Sequence, residues 1–401
     1  GGGSEINSGI YQEMDLTFAK KWQDKFEIDD FNSEKFKNYY SEIKKLINLE
    51  YETNNSGFPT ELIKKISKKQ KWSYKELPRI SNQNPLYPND SQKLLRDSMN
   101  TNLINKSLKN DLKVLTGIKI TRLEINKNEI ISAYGISNQS GNKIKYRFFA
   151  KNYFISCGAV QTPYLLKKSG IKKNIGKFFR LHPTLRLIVK FPYDINANQL
   201  PLPLYAITEF LPKIRLSGAN NSLPILSTLI AEDWNNRNYL LKDWKKIIIL
   251  YVMINPYGYG KIYNIPFLNH PIIRYKLLPE DYENLSFGLK KFSKSLIDIG
   301  ANEIIPCIKD FKSIKNIDDL NKFPRELSKL DLNLMSIHLF GSCIPGKNKE
   351  YCATDSYGKI NGLNNAIICD ASQIPESIGV NPQATVMAMS LRNIKNFLNQ
   401  K

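Results

Sequence analysis

Apolar and polar positions change period several times along the chain. From residue 16 to 72 they mix at helical spacing among many lysines, which predicts helices. SNQNPLYPND (81–90) is dense in turn formers and reads as a loop, and a helix-like stretch follows over 91–109. Over 112–137 apolar and polar residues alternate, as in strands joined by short turns. RFFAKNYFISCGAVQTPYLLKKSGI (147–171) predicts a buried strand from Tyr153 to Ser156, then a turn at Gly158-Ala159. A helix follows, with Pro163 near its first turn and Gly170 as its C-terminal cap. Residues 186–280 are strand-rich, and IIILYVMI (247–254) reads as a buried strand, too short to span a bilayer. One clear helix is expected at 285–300. A final helix from about 383 would place Met387, Leu391, Ile394 and Leu398 on one face.

The 401 residues, 42% hydrophobic and 24% charged, fit a soluble globular protein of two or three domains. A formal charge of +21 raises the possibility of a basic nucleic-acid or membrane-surface binder. Lysine, asparagine and isoleucine are abundant throughout, however, and clusters such as KKISKKQK (64–71) read as solvated helix faces. No nucleic-acid-binding motif accompanies the charge, and membrane association is not indicated. No apolar export-signal core opens the chain, so a cytoplasmic location is expected. Five scattered cysteines suggest neither a disulfide framework nor a zinc site, although Cys343 and Cys352 could pair across a loop.

The opening GGGSEIN could bring backbone close to a ligand and aim amide hydrogens at phosphate oxygens, or it could be a plain turn. Far along the chain stand SIHLFGSCIPG (336–346), CDAS (369–372) and IGVNPQATVMAM (378–389). Together with GAVQTPYLLKKSGI (158–171), these ordered stretches resemble the glucose-methanol-choline (GMC) oxidoreductases, a family of FAD enzymes that oxidise alcohols. The resemblance implies an α/β (α+β) fold: an FAD-binding Rossmann-like domain and a discontinuous substrate domain on an antiparallel sheet. In that family the glycine-serine motif follows a strand and a GxGxxG turn, and no GxGxxG occurs here. The Rossmann-like part is therefore expected to be incomplete, and a separate N-terminal FAD-binding polypeptide is one partner that would complete it.

The resemblance assigns His338 as catalytic base, taking the alcohol proton, and Asn381 as its partner at the substrate oxygen. It assigns Gly2, Gly3, Ser4, Asn7, Ile120, Gly158, Ala159, Asp370, Ala371 and Pro382 to FAD. Read without it, His338 could be a core histidine held by one hydrogen bond, Asn381 an N-cap before Pro382, and Asp370 a turn former. Members with histidyl-linked flavin carry histidine immediately before the motif asparagine; Ile6 stands there, which implies noncovalent FAD. Lys172 replaces a glycine, and KFFRLHP (177–183) departs from the family pattern, so His182 is expected to be structural, as is His270. The expected organisation is an FAD part (1–20, 92–185, 330–401), a helical cover (21–91) and a substrate domain (186–329). The expected activity is FAD-dependent oxidation of an alcohol to a carbonyl, a small-molecule alcohol being the substrate. A noncatalytic or partner-dependent fragment is the alternative.

Overall fold

The computed structural model describes residues 2–51, 57–81, 97–139, 142–197, 202–323 and 327–400. The loop expected over 82–90 and residues 91–96 of the following helix lie outside the described residues. The elements framing the site are helices α1 (Thr17–Phe26), α2 (Ser33–Leu46), α3 (Gly57–Gln70), α4 (Gly158–Lys168), α5 (Leu223–Ala231), α6 (Pro279–Asp298) and α7 (Gln383–Asn399). The framing strands are β1 (Tyr74–Glu76), β2 (Ile118–Asn126), β3 (Glu129–Gln139), β4 (Asn142–Phe148), β5 (Tyr153–Ile155), β6 (Thr184–Lys190) and β7 (Tyr205–Ile207). Further along are β8 (Ile214–Gly218), β9 (Ile247–Ile254), β10 (Glu303–Pro306), β11 (Leu334–Met335) and β12 (Ala366–Ile368).

One antiparallel sheet organises the larger core. Its strands run β10-β6-β9-β8-β7-β1, with β11 also pairing with β6. β9 is the apolar run expected to be a buried strand. Its even-numbered side chains, Leu250, Val252 and Ile254, join the apolar core, where α6 lies. Its odd positions Tyr251 and Met253 face the opposite side, beside Ser217 and Arg215 of β8 and Arg186 and Thr184 of β6. A continuous apolar run therefore hides a strand with two different faces. β1 comes from before residue 91 and β11 from after 329, so the sheet extends beyond 186–329. α5 is a second helix in the strand-rich region, where one was expected.

The helices of the N-terminal segment serve two cores. α3 packs on the sheet, whereas α1 and α2 share a second core with α7. Glu376 fastens α1 there, accepting from Trp22 Nε1 at 3.2 Å and pairing with Lys21 at 2.7 Å and Lys25 at 2.6 Å. A third core lies between the β2-β3-β4 sheet and the parallel pair β5–β12.

α7 begins where expected; Met387 and Leu391 of the expected face pack half-buried on the core, but the fully buried face is the neighbouring one. Its buried residues are Ala384, Thr385, Ala388, Met389, Arg392 and Asn393, while Leu398 is 58% exposed. Small side chains let this helix lie close to α2. Arg392 reaches the carbonyls of Ser356 and Asp29, and Asn393 that of Ile368, so the polar residues on the buried face are partnered. Hydrophobic periodicity cannot reveal a face chosen for small size and hydrogen bonding. All five cysteines are free thiols, so Cys343 and Cys352 form no disulfide.

α6 meets the sheet at Gly288, where an added Cβ would lie 2.6 Å from Val252 Cγ1 and 3.0 Å from Ile214 Cγ2. Gly288→Val is expected to destabilise the protein by about 1–3 kcal/mol through overpacking. A thermal melt should show a lower midpoint than wild type; an unchanged midpoint would mean that this contact relaxes freely.

Candidate active site

Four stretches that stand far apart in sequence meet through individual hydrogen bonds. Asn7 Nδ2 donates to Gln383 Oε1 at 3.0 Å, joining the glycine-serine opening to the first turn of α7. Gly158 N–H donates to Asp370 Oδ2 at 2.9 Å, joining α4 to the segment after β12. Ser342 Oγ donates to the Ala159 carbonyl at 2.6 Å. His338 Nε2 and Asn381 Nδ2 stand 3.1 Å apart. The opening is also zipped to the strand Arg79–Ile80: Ile80 N–H donates to the Gly9 carbonyl, and Tyr11 N–H to that of Pro78.

Asn381 is not the N-cap of α7; Pro382 occupies that position. The Asn381 side chain is instead held between two partners. Arg215 Nη1 donates to Asn381 Oδ1 at 2.6 Å, which fixes the amide with Nδ2 toward His338. The amide NH2 group therefore faces His338 Nε2. On the other side of the ring, His338 Nδ1 is 3.0 Å from His182 Nδ1. His182 is fully buried, and its Nε2 accepts Gly379 N–H at 3.0 Å. Gly379 has φ +71°, and an added Cβ would lie 2.8 Å from the Pro212 carbonyl oxygen, so glycine is required where this amide turns toward the ring.

Both rings are held neutral. Burial, then the charge of Arg215, push the His338 pKa well below its ordinary value. Burial, His338 and Arg215 do the same for His182. The Gly379 N–H at His182 Nε2 also disfavours that ring's imidazolium. Arg215 is 1% exposed, and its Nη1 also donates to Gln12 Oε1 at 2.9 Å.

The sequence missed Arg215, since a lone arginine in a strand carries no motif. It also separated His182 from the site, because the segment around it departs from the family pattern; the structure places its ring against His338. His270, by contrast, lies exposed at a bend and packs no core, contrary to expectation.

The residues assigned to FAD are placed as follows. Gly2, Gly3 and Ser4 form a short 3-10 turn, with Ser4 Oγ accepting Met99 N–H at 3.0 Å. An added Cβ at Gly2, Gly3 or Gly158 would meet nothing within 4 Å, leaving open space beside the backbone. Pro382 offers no side-chain cap, so the first-turn amides of α7 are left without a side-chain acceptor from the N-cap. This open, positive helix end and the glycine-lined space fit an anionic dinucleotide and the polar edge of a flavin. Asp370 faces inward: Oδ2 accepts Gly158 N–H and the Thr162 hydroxyl, and Oδ1 accepts Ser372 N–H. Its carboxylate caps α4 rather than pointing outward, while Ala371 follows it at the start of a 3-10 turn. Ile120 stands apart, in the β2-β3-β4 sheet opposite Gly135.

A cavity of about 170 Å³ opens beside the His338–Asn381 pair. Its floor is the polar face of the sheet, with Thr184, Arg186, Ser217, Tyr251, Met253 and Met335. An oxygen beside the pair could accept from Asn381 and give a proton to His338.

Removing Arg215 should raise both histidine pKa values, because a nearby cation no longer opposes protonation. In Arg215→Met, imidazole NMR titration should show His182 and His338 protonating at higher pH than in wild type. An unshifted titration would remove Arg215 from the electrostatics of the site. The same depressed values make the unfolded chain bind more protons below the ordinary histidine range. Folding stability should therefore fall as pH drops below about 6.5.

The N-terminal and C-terminal models of the family described as GMC oxidoreductase match residues 1–184 and 268–390. An uncharacterised GMC-type oxidoreductase of Sinorhizobium fredii is 33% identical over 98% of this chain and 79% of its own length. A long-chain-alcohol oxidase of Arabidopsis thaliana is 23% identical, over 97% of this chain and 56% of its own. Several curated relatives are thus spanned for only about half their length. Among solved structures, pyridoxine 4-oxidase from Mesorbium loti superposes with a TM-score of 0.73 at 13% identity, covering 99% of this chain and 83% of that one. An FAD-dependent oxidoreductase from Chaetomium thermophilum has a TM-score of 0.71 at 14% identity, over 100% and 86% of the two chains. These matches run along nearly the whole of this chain, and among the described residues no helix is long and apolar enough to cross a membrane. With both family models and a relative matched along nearly its whole length, the chain belongs to the GMC oxidoreductase family.

Proposed function

We propose that this protein oxidises an alcohol to a carbonyl with noncovalent FAD. The observation that carries this reading is the His338–Asn381 pair, with imidazole Nε2 3.1 Å from the amide Nδ2 at the edge of a cavity. When bound, FAD supplies the hydride acceptor. The substrate hydroxyl inserts beside the pair, accepts from Asn381 Nδ2 and passes its proton to His338 Nε2. Its carbon loses a hydride, so one C–H and one O–H bond are exchanged for the carbonyl. Asn381 then holds the oxygen while negative charge develops on it. Arg215 is a positioning residue: it keeps the amide oriented and the base neutral and ready to accept.

The residues offered to FAD are Gly2, Gly3, Ser4 and Asn7 from the opening, Gly158 and Ala159 at the head of α4, and Asp370, Ala371 and Pro382 near α7. Asp370 acts there through the helix it caps. Ile120 is retained only as a peripheral contact to the adenine end. Ile6, 87% exposed, offers no covalent attachment chemistry.

After incubation with FAD and desalting, the purified chain is expected to retain visible flavin absorbance. A reactive alcohol should bleach it anaerobically. His338→Ala should retain the flavin but slow bleaching by about 10²–10⁴-fold, and Asn381→Ala by about 10²–10³-fold. Bleaching at the wild-type rate in His338→Ala would sink the assigned base. A colourless wild-type protein would show that this chain does not hold FAD by itself.

A further inference from the structure

The cavity beside His338 and Asn381 is lined by two arginines, one without a carboxylate partner and one in a long ion pair. Arg79 is 3% exposed and donates from Nη2 to the Pro203 carbonyl at 3.0 Å. Its buried Nε and Nη1 have no hydrogen-bond partner among the described residues. Among the described residues, the arginines within ion-pair distance of a carboxylate are Arg147, Arg186 and Arg237. Arg79 is not among them. Across the cavity, Arg186 makes only long contacts, 3.6 Å to Glu232 and 3.5 Å to Asn333. Among the described residues, no aspartate or glutamate lines this space.

Such an arrangement is costly in the free protein. A guanidinium removed from water loses several kcal/mol of solvation, and buried charges are normally paired. Burial, and then the positive charge of Arg215, lower the Arg79 pKa to about 10; it still remains protonated at neutral pH. The planar fork of arginine matches the oxygens of a carboxylate or phosphate. The apolar cavity of about 150 Å³ that accepts benzene gives the scale: this space, about 170 Å³, suits a small molecule.

We infer that the alcohol oxidised here carries an anionic oxygen group, a carboxylate or phosphate, seated on Arg79 and Arg186. The substrate class is then a small hydroxy acid or hydroxyalkyl phosphate rather than a neutral alcohol. This rests on the alcohol-oxidation reading above, with the hydroxyl end at His338 and Asn381 and the anion at the arginines.

Calorimetry on the FAD-incubated full chain tests it with malonate, methyl phosphate and the neutral analogue malonamide at moderate salt. At least one anion should bind and malonamide should not; the preferred anion distinguishes carboxylate from phosphate. Arg186→Gln and Arg79→Lys should each weaken anion binding by about tenfold or more, the scale of one charge-assisted hydrogen bond. The lysine variant guards against misfolding by keeping the buried charge. Failure of every anion to bind, equal binding of malonamide, or unchanged affinity in both variants overturns the proposal. So does loss of FAD retention in Arg79→Lys with anion affinity intact, which would give that arginine to the cofactor. Turnover of glycolate against glycolamide separates this inference from the reaction itself. Arginine-dependent anion binding without oxidation of any alcohol would sink the reaction while leaving the anion receptor in place.

Discussion

The site depends on a buried guanidinium that is partnered by amide oxygens rather than by a carboxylate. Arg215 donates to Asn381 and Gln12 from inside the sheet. That choice has two consequences at once. The amide of Asn381 can point only its NH2 group at His338, and the uncompensated charge makes protonation of the two neighbouring rings costly. A carboxylate in place of either amide would neutralise the arginine and stabilise an imidazolium, leaving a poorer proton acceptor. The sheet makes this possible by giving β8 and β9 one face for the apolar core and another for the reaction site.

A second constraint is the assembly of four short segments by hydrogen bonds across large sequence separations. Asn7 with Gln383, Gly158 with Asp370, Ala159 with Ser342 and His338 with Asn381 join the opening, middle and end of the chain. Several residues with a ligand-like signature therefore also build the frame. Asp370 shows this most plainly, since both carboxylate oxygens face protein donors. Its effect on a ligand is exerted through the helix end it holds and the glycine turn beside it.

The positive charge of the chain also acquires a local meaning. Spread over the surface, lysines report little beyond composition, and many form exposed pairs that contribute little to stability. Buried arginines are different, because each has lost its water and must find other partners. Arg392 and Arg237 satisfy much of their need on backbone carbonyls, as structural residues do. Arg79 leaves Nη1 as well as Nε without a partner among the described residues, beside a cavity, and the proposed anion site rests on that.

The sequence by itself determined the local elements and their chemistry. The strand–glycine–helix grammar at 153–170, the buried strand at 247–254, the helix from 383 and the pairing of His338 with Asn381 were all legible, because each depends on nearby residues or on a motif. It did not determine which face of α7 is buried, since small and hydrogen-bonding residues leave no apolar stripe. Nor could it show that Asn381 is a partner rather than a cap, that Asp370 turns inward, or that His182 and Arg215 belong to the site. Those facts are contacts between residues distant along the chain, and the hydrogen bonds and electrostatic fields that define them exist only once the sheet, α4 and α7 have been brought together.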